Sequence, residues 1–345
     1  MSNSSLPAIS ALPTIALTLG DPAGIGAELI AKLLQRTDLM RLANVVLIGD
    51  RWLWDEGQRI AGTSLRLPEI DAIDEARKHQ GGPCFLPLDT VQASQVAPAA
   101  ASAAGGQSVL QVLALCLDAV AARKIDAICF APLNKFAMKL GGMPFEDELH
   151  LFAHHLKVTS YFCEFNTLGE IWTARISSHV PLKDVASYLE PARIKDATRL
   201  LYKSLQAVGF GAPRVAVAAF NPHGGDGGTC GREEIDIIAP AVRALCNEGY
   251  PVEGPFPADT IFLKARAGLY DGIVTMYHDQ GQIAIKLMGF EKGVTVQGGL
   301  PVPITTPAHG TAYDIAGQNK ANVEATVQAF LIACRMGASY RAGAA

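Results

Sequence analysis

Ile15-Ala-Leu-Thr-Leu-Gly-Asp-Pro-Ala-Gly-Ile-Gly26 runs from an apolar strand pattern through a glycine-rich turn into a helical pattern over Glu28 to Leu34. Strand-like apolar runs recur further along the chain, at Val45 to Ile48, Ile128 to Phe130, Val215 to Ala219 and Ile273 to Met276. Stretches with apolar residues at three- and four-residue spacing lie between them, at Val109 to Ala122, Ala192 to Val208, Glu233 to Glu248 and Val323 to Arg335. This alternation predicts an α/β fold with a largely parallel sheet.

The regular alternation is interrupted between about residues 156 and 189, where short strands predict an antiparallel addition to the sheet. Clusters of Pro and Gly at 81–83, 222–228, 254–257 and 298–307 predict loops. The chain has 345 residues, which exceeds the usual size of one domain and predicts two.

The composition is that of a folded protein that acts on small molecules. Hydrophobic residues make up 49% and charged residues 18%, and the net charge of −4 gives no sign of a nucleic-acid or membrane-surface partner. The seven cysteines form no C-x-x-C pair, which favours reduced thiols in a cytoplasm. Residues Met1 to Leu12 lack the basic and apolar regions of a secretory signal. We therefore expect a cytoplasmic protein.

Three histidines stand beside Gly, Pro or Asp: His179 in Ser-Ser-His-Val-Pro, His223 in Asn-Pro-His-Gly-Gly and His278 in Met-Tyr-His-Asp-Gln-Gly. The second and third follow strand-like runs, so they are predicted at the carboxyl ends of strands, where open α/β sheets bind ligands. Three neutral imidazoles leave a position open on a divalent ion, as a catalytic zinc-like site requires. A single histidine is more often an ordinary hydrogen-bonded residue, but three in matching contexts favour a metal site.

Two further motifs have both a structural and a functional interpretation. The glycines of Gly20 to Gly26 either let backbone N–H groups approach an anion at a helix N-terminus or serve a tight strand-to-helix turn. Asn134-Lys135, at the end of another predicted strand, offers an amide and a cation to a ligand or is simply solvated.

Six motifs together resemble one enzyme family. They are Gly-Asp-Pro-Ala-Gly-Ile-Gly (20–26), Ala-Pro-Leu-Asn-Lys (131–135), Asn-Pro-His-Gly-Gly (221–225), Gly-Pro-Phe-Pro-Ala-Asp-Thr (254–260), Tyr-His-Asp-Gln-Gly (277–281) and His-Gly-Thr-Ala-Tyr-Asp-Ile-Ala-Gly (309–317). In this order they closely resemble the 4-hydroxythreonine-4-phosphate dehydrogenase (PdxA-type) family over about residues 14 to 335.

The resemblance implies a two-domain fold like that of isocitrate and isopropylmalate dehydrogenases, with an active-site cleft between the domains. Residues 1–140 plus 300–345 would form the first domain, which carries the adenosine-binding loop. Residues 141–299 would form the second, which carries the metal histidines and the dimer interface.

The segment from His309 to Asn322 is similar to the adenosine-binding loop of those dehydrogenases. The likeness implies that Asp314, Ile315 and Asn322 hold the adenosine part of a dinucleotide. A carboxylate at Asp314 bonds a free ribose hydroxyl and repels a 2′-phosphate, so NAD is predicted over NADP.

The family also implies roles at the matching positions of the second domain. His179, His223 and His278 match its divalent-metal ligands, the third contributed by the neighbouring subunit, which implies a homodimer with shared active sites. Lys286 matches a substrate-binding lysine and is the candidate for stabilising charge or relaying a proton. Asp259 and Asp279 lie close to these motifs and either orient the metal or lysine or fill ordinary capping roles.

This chain departs from the family at the positions that contact substrate. Glu148 and Leu149 replace a His and a Thr, Thr295 replaces an Asn, and Ile304 replaces an Arg beside the phosphate. These changes predict poor recognition of a phosphate dianion, which needs cations and donors. A two-residue local shift would instead bring His150 into the vacant His position.

The sequence therefore predicts an NAD- and metal-dependent dehydrogenase of a secondary alcohol β to a carboxylate, whose β-keto acid product can lose carbon dioxide. Two substrates compete: 4-phosphooxy-threonine, and an unphosphorylated ring diol carboxylate as in the terephthalate dihydrodiol dehydrogenase-like branch. The alternatives are a metal-dependent hydrolase or aldolase without nicotinamide, and a non-catalytic ligand-binding homologue.

Overall fold

The computed structural model describes residues 12–79 and 82–344, and its chain forms two compact units. Unit 1 combines the chain up to Val158 with the chain from Leu300 onward, and unit 2 is Thr159–Gly299. Residues 141–158, which the sequence assigned to the second domain, thus cluster with the first. Of the segment analysed for a secretory signal, Met1 to Ala11 lie outside the described residues.

The described part of unit 1 contains five parallel strands in the order β3-β2-β1-β4-β11. Their bounds are β1 (Thr14–Thr18), β2 (Asn44–Asp50), β3 (Pro83–Leu88), β4 (Ala127–Phe130) and β11 (Ile304–Pro307). The first two strands are buried throughout, because helices cover a parallel sheet on both faces and leave no polar side. Strand β11 lies within a Pro/Gly cluster that predicted a loop, so that prediction was wrong at Ile304–Pro307.

The helices of unit 1 bury apolar faces against this sheet. They are α1 (Gly26–Leu34), α2 (Arg51–Ala61), α3 (Ala103–Ala121), α4 (Lys135–Leu140), α5 (Glu148–His155) and α10 (Glu324–Ala344). Among the described helices, α3 alone has the length and apolar composition of a membrane span. Its residues Val112, Leu113, Cys116 and Leu117 belong to the core of unit 1. We therefore interpret α3 as a core helix.

The turn between β1 and α1 needs glycine because other backbone segments approach it closely. A Cβ on Gly20, whose φ is +73°, would lie 2.6 Å from the carbonyl oxygen of Pro132, and one on Gly26 would lie 2.1 Å from that of Leu19. A Cβ on Gly24 would lie 2.9 Å from the side chain of Thr311. These contacts support the structural interpretation of the glycines, a tight turn packed against the chain itself.

Unit 2 contains six strands in the order β10-β5-β6-β9-β7-β8. Their bounds are β5 (Cys163–Leu168), β6 (Ile171–Arg175), β7 (Val215–Ala218), β8 (Val252–Phe256), β9 (Gly272–Thr275) and β10 (Val294–Gly298). The pairs β10/β5 and β5/β6 are antiparallel and the others are parallel. The antiparallel addition predicted near residues 156–189 is thus confirmed at β5 and β6. Strand β8 covers residues 254–256 of the second Pro/Gly cluster, and Pro257 is the N-cap of α8, so the loop predicted at 254–257 was wrong.

The helices of unit 2 are α6 (Pro191–Ala207), α7 (Ala239–Asn247), α8 (Ala258–Arg266) and α9 (His278–Gly289), with a π-helical turn at Glu234–Ile238 before α7. Ile261, Phe262, Ile273 and Ile285 form part of the core between sheet and helices. Parallel strands joined by helices in both units confirm the predicted α/β fold class.

Candidate functional site

His278 lies where the sequence predicted it, just beyond the carboxyl end of β9, as the first residue of α9. Its Nδ1 is 2.7 Å from Oδ1 of Asp279, and the carboxylate accepts the N–H of that ring nitrogen. The pairing fixes the tautomer and leaves Nε2 as the atom with a lone pair for a ligand. Asp279 therefore orients His278 in addition to its place in the first turn of a helix.

His179 follows β6 in a loop and adopts a left-handed backbone with a φ of 54°. Its ring centroid lies 5.8 Å from that of His278. The two rings of one chain therefore lie close together beside the carboxyl ends of β6 and β9.

Both rings line a cavity of about 360 Å³ in unit 2, whose walls are Ser177, Ser178, His179, Val180, Leu182, Val185, Tyr277, His278 and Asp279. The mix of apolar side chains and a few convergent polar groups is typical of small-molecule sites. His223 is not part of this lining.

His223 lies in a turn after β7 in which six consecutive residues, His223 to Gly228, have positive φ angles. Such a run is costly for residues other than glycine, so outside contacts must hold it. Buried Glu234 provides them, since one carboxylate oxygen accepts the backbone N–H groups of Phe220 and Asn221, both at 2.7 Å. Burial raises the pKa of Glu234, but the hydrogen bonds from Asn221 and the backbone outweigh it and lower the pKa. The exposed imidazole is thus held on an ordered loop.

Lys286 lies two turns beyond His278 on α9, with Gln282 between them. Residues four apart share one face of a helix, and eight residues span about 12 Å. Gln282 donates to Oδ1 of Asn166, and the Nδ2 of Asn166 donates to Oγ1 of Thr295 at 3.2 Å. The predicted substrate residue Thr295 is therefore tied to the face of α9 that carries Lys286.

A buried guanidinium, Arg175, lies behind this polar group. Its three nitrogens donate to Oδ1 of Asn166 at 2.6 Å, to Glu164 at 2.6 Å and to Oγ of Ser178 at 2.9 Å. Ser178 precedes His179, so its bond with Arg175 supports the loop that carries His179. Asp259 lies exposed in the first turn of α8, where a carboxylate complements the helix dipole.

The predicted cofactor residues lie in unit 1, between β11 and α10. Asp314 is exposed within a 3-10 turn, while Ile315 packs against Ile25 and Leu29 of the first helix. Oδ1 of Asn322 accepts the N–H of Glu324 at 2.9 Å and so caps α10. The loop thus presents one carboxylate outward from an anchored backbone, and a carboxylate is the acceptor that the hydroxyls of a ribose diol need.

Two of the substrate positions begin α5. Asp147 caps this helix by accepting the N–H of His150, and its carboxylate also contacts Nδ1 of His150 at 2.7 Å. Glu148 is only 8% exposed, and its Oε2 lies 3.6 Å from Nζ of Lys135. Leu149 is buried as well. The carboxylate of Glu148 is therefore balanced by a cation of the same unit.

Ile304 does not occupy a substrate position in this structure. It has no exposed surface, pairs with Ile128 in the sheet and belongs to the hydrophobic core of unit 1. Assigning it to the substrate site was therefore a mistake, because a strand residue on the covered face cannot reach a ligand.

Little in the sequence marks the residues that hold the histidine-bearing loops in place. Gln280 stands inside the His-Asp-Gln-Gly motif and could have been considered with it. Glu234 and Arg175 lie within an amphipathic helix pattern and a strand, and nothing in their local sequence marks them.

Comparison with known proteins places the chain in a family. A family model described as "Pyridoxal phosphate biosynthetic protein PdxA" matches residues 41–333. The chain belongs to the PdxA family. A Pseudomonas aeruginosa protein named "Putative 4-hydroxythreonine-4-phosphate dehydrogenase 2" is 51% identical over 94% of this chain and 97% of its own. A D-threonate 4-phosphate dehydrogenase from Cupriavidus necator is 36% identical over 92% and 95%.

Solved structures agree with this placement. The 4-hydroxythreonine-4-phosphate dehydrogenase of Klebsiella pneumoniae matches with a TM-score of 0.82 at 33% identity, over 94% of this chain and 98% of that one. A terephthalate 1,2-cis-dihydrodiol dehydrogenase from Burkholderia xenovorans matches less well, with a TM-score of 0.64 at 27% identity, over 92% and 98%. The PdxA-family chain is an oxidoreductase of the dehydrogenase type.

Proposed function

We propose that this PdxA-family enzyme is a cytoplasmic homodimer that uses NAD and a divalent metal ion to oxidise a phosphorylated hydroxy acid. The hydroxyl that reacts is secondary and β to a carboxylate. Its oxidation transfers a hydride to NAD and releases a proton, and the resulting β-keto acid loses its carboxylate as carbon dioxide. Candidate substrates are those in the names of the relatives, 4-phosphooxy-threonine and D-threonate 4-phosphate.

The roles follow from the chemistry of the side chains. His179, His223 and His278 would hold the ion, which supplies Lewis acidity toward the hydroxyl oxygen when bound. Asp279 keeps His278 in the tautomer that such an ion needs. Asp314, Ile315 and Asn322 would hold the adenosine part of NAD.

One observation carries the choice of a phosphorylated substrate: Lys286 follows His278 by two turns on the same face of α9. A substrate whose hydroxyl lies at the histidine end would bring an anionic group toward the ammonium group, over a length of about 12 Å along the helix. Two of the residue changes that argued against a phosphorylated substrate no longer do so. Ile304 lies in the core, and Glu148 is balanced by Lys135.

The altered substrate positions still favour a second candidate, an unphosphorylated dihydrodiol carboxylate. Thr295 is a weaker phosphate donor than the asparagine it replaces, because a hydroxyl has one O–H to donate and an amide has two N–H groups; its Oγ1 accepts a hydrogen bond from Nδ2 of Asn166. The lower similarity to the dihydrodiol dehydrogenase argues against this candidate.

The test is NAD reduction by the metal-loaded enzyme, with the two phosphorylated acids and a dihydrodiol carboxylate compared side by side. We expect the phosphorylated acids to be preferred. Turnover of the dihydrodiol alone would contradict this.

The variant His223→Ala should lower metal affinity by about 10- to 100-fold or more and abolish turnover, whereas His155→Ala, which breaks a pair with Asp118, should change neither. Full metal occupancy in His223→Ala would show that His223 is not a metal ligand.

A further inference from the structure

The loop that carries the proposed adenosine residues, His309 to Asn322, packs against the start of helix α1 in the same unit. Near the beginning of the loop, the carbonyl of Thr311 accepts the backbone N–H of Ile25 at 3.1 Å. Near its end, Ala321 is buried with Ile25 and Leu29 in a small apolar cluster. Both ends of the loop are therefore held by the first helix.

Two residues of this loop have a backbone conformation that needs support from outside the loop. The φ angle of Ala312 is 43° and that of Asn319 is 57°, both in the left-handed region. Residues other than glycine are uncommon there, and such a backbone persists only where the surrounding structure determines it. The shape of the loop thus depends on its contacts, and those beside Asn319 come from α1.

Glu28 and Lys32, one turn apart on α1, make these contacts at the end of the loop nearest Asn322. Oε1 of Glu28 accepts the backbone N–H of Ala321 at 2.9 Å. The ammonium group of Lys32 donates to the carbonyl of Ala321 at 2.9 Å and to that of Asn319 at 3.5 Å. Both backbone groups of Ala321 are therefore bonded to one ion pair, in which Nζ lies 2.7 Å from Oε1.

The ion pair stands in an apolar place. Glu28 is only 1% exposed, which is rare for a carboxylate. Its second oxygen, Oε2, is buried and has no hydrogen-bond partner among the described residues. Such a pair contributes little to stability, because removing the carboxylate from water offsets much of the attraction. The geometry that the pair imposes on Ala321 explains it better than stability does.

We propose that Glu28 and Lys32 are positioning residues for NAD, which hold the backbone at Ala321 so that Asn322 is in place before the adenosine half of the cofactor binds. The inference rests on the proposed function, because it presumes that this loop binds adenosine. Without the ion pair, the cofactor would have to order the end of the loop as it binds. Fixing the backbone of one or two residues corresponds to about 10- to 100-fold in affinity.

The test compares the wild type with Glu28→Met, Glu28→Gln and Lys32→Met. Methionine makes no hydrogen bond to Ala321, whereas glutamine keeps an oxygen that accepts its N–H but loses the charge. Inhibition is measured with two fragments of NAD: ADP-ribose, which contains the adenosine half, and nicotinamide mononucleotide, which lacks it. We expect both methionine variants to raise the inhibition constant of ADP-ribose about 10- to 100-fold, with Glu28→Gln in between. The inhibition constant of nicotinamide mononucleotide, and kcat at saturating NAD, should not change.

Arg59→Met is the control for the loss of an ion pair from this unit. Arg59 is bonded to Glu56 on the exposed surface of α2. This variant should bind both fragments as the wild type does.

A wild-type inhibition constant for ADP-ribose in Lys32→Met would overturn the proposal, even if Glu28→Met fails to fold. An equal loss of affinity for both fragments would also overturn it, because the whole cofactor site would then be disturbed and not its adenosine end. If ADP-ribose does not inhibit the wild-type enzyme, or if Asp314→Ser binds it as tightly as the wild type does, the proposed function of the loop fails instead.

Discussion

At the scale of single residues, the role proposed for Asp314 is to determine the choice between NAD and NADP. Its carboxylate is exposed on a turn whose neighbour Ile315 is packed against α1, so the charge is presented in a fixed place. A charge-assisted hydrogen bond to a ribose hydroxyl contributes about 1.5–3 kcal/mol, which corresponds to roughly 10- to 100-fold in affinity. The same charge repels a 2′-phosphate.

We therefore predict that the enzyme prefers NAD. Asp314→Ser should raise KM for NAD by about 10- to 100-fold and should make the preference for NAD over NADP smaller. Steady-state kinetics with both nucleotides measures the change. Asp55→Ser, which removes an exposed carboxylate from α2 of the same unit, should leave both constants unchanged. A wild-type enzyme that prefers NADP would contradict the role of Asp314.

Individual residues also show where sequence reasoning ends. His278 and His223 could be placed at strand ends because the preceding strands are short, buried and continuously apolar. Ile304 was wrongly predicted to contact substrate. Whether a strand residue faces the core or a ligand depends on which helices cover that side of the sheet, and those helices come from distant parts of the chain. Glu234 and Gln280 could not be assigned, since their partners are backbone groups that only the folded loops bring to them.

At the scale of elements, the glycines predicted the turn between β1 and α1, but they did not show why glycine is needed there. The sequence left open whether the glycines serve an anion or the turn itself, and the close approach of Leu19, Pro132 and Thr311 supports the second. Strands β8 and β11 were missed for a related reason. Each contains or ends in a proline, and a proline in a short apolar run predicts a loop unless partner strands are known.

The turn makes a prediction about stability. A methyl group on Gly26 would lie 2.1 Å from the carbonyl oxygen of Leu19, a backbone atom that cannot give way without moving β1. Gly26→Ala should therefore lower the free energy of unfolding by about 1–3 kcal/mol, although alanine favours helices by about 1 kcal/mol. Urea unfolding measures the change. Gly211→Ala, where nothing lies within 4 Å of the added methyl, should be neutral, and equal midpoints for the two variants would show that the turn can relax.

At the scale of the whole molecule, α9 combines the roles proposed for this enzyme. Its inner side places Ile285 in the core of unit 2, and one face carries His278, Gln282 and Lys286. Another part of its surface presents Ile283, 58% exposed, and Leu287, 83% exposed. These two residues are four apart and lie together on the helix, which makes an apolar contact surface next to Lys286, the lysine proposed to bind substrate.

This surface gives a test of the proposed homodimer with shared sites. If α9 packs against a second subunit, Leu287→Glu would bury a carboxylate in an apolar interface, and the cost of several kcal/mol should dissociate the dimer. Light scattering after size exclusion should then give a mass near 36.5 kDa instead of twice that value. Zinc affinity and turnover should also fall in Leu287→Glu, because each site would lose its partner's contribution.

Leu269→Glu, at another exposed leucine, which follows α8, should remain dimeric and active. A dimeric Leu287→Glu enzyme would place the interface elsewhere on the chain, and a wild-type monomer with full activity would show that one chain holds all three histidines of its own site.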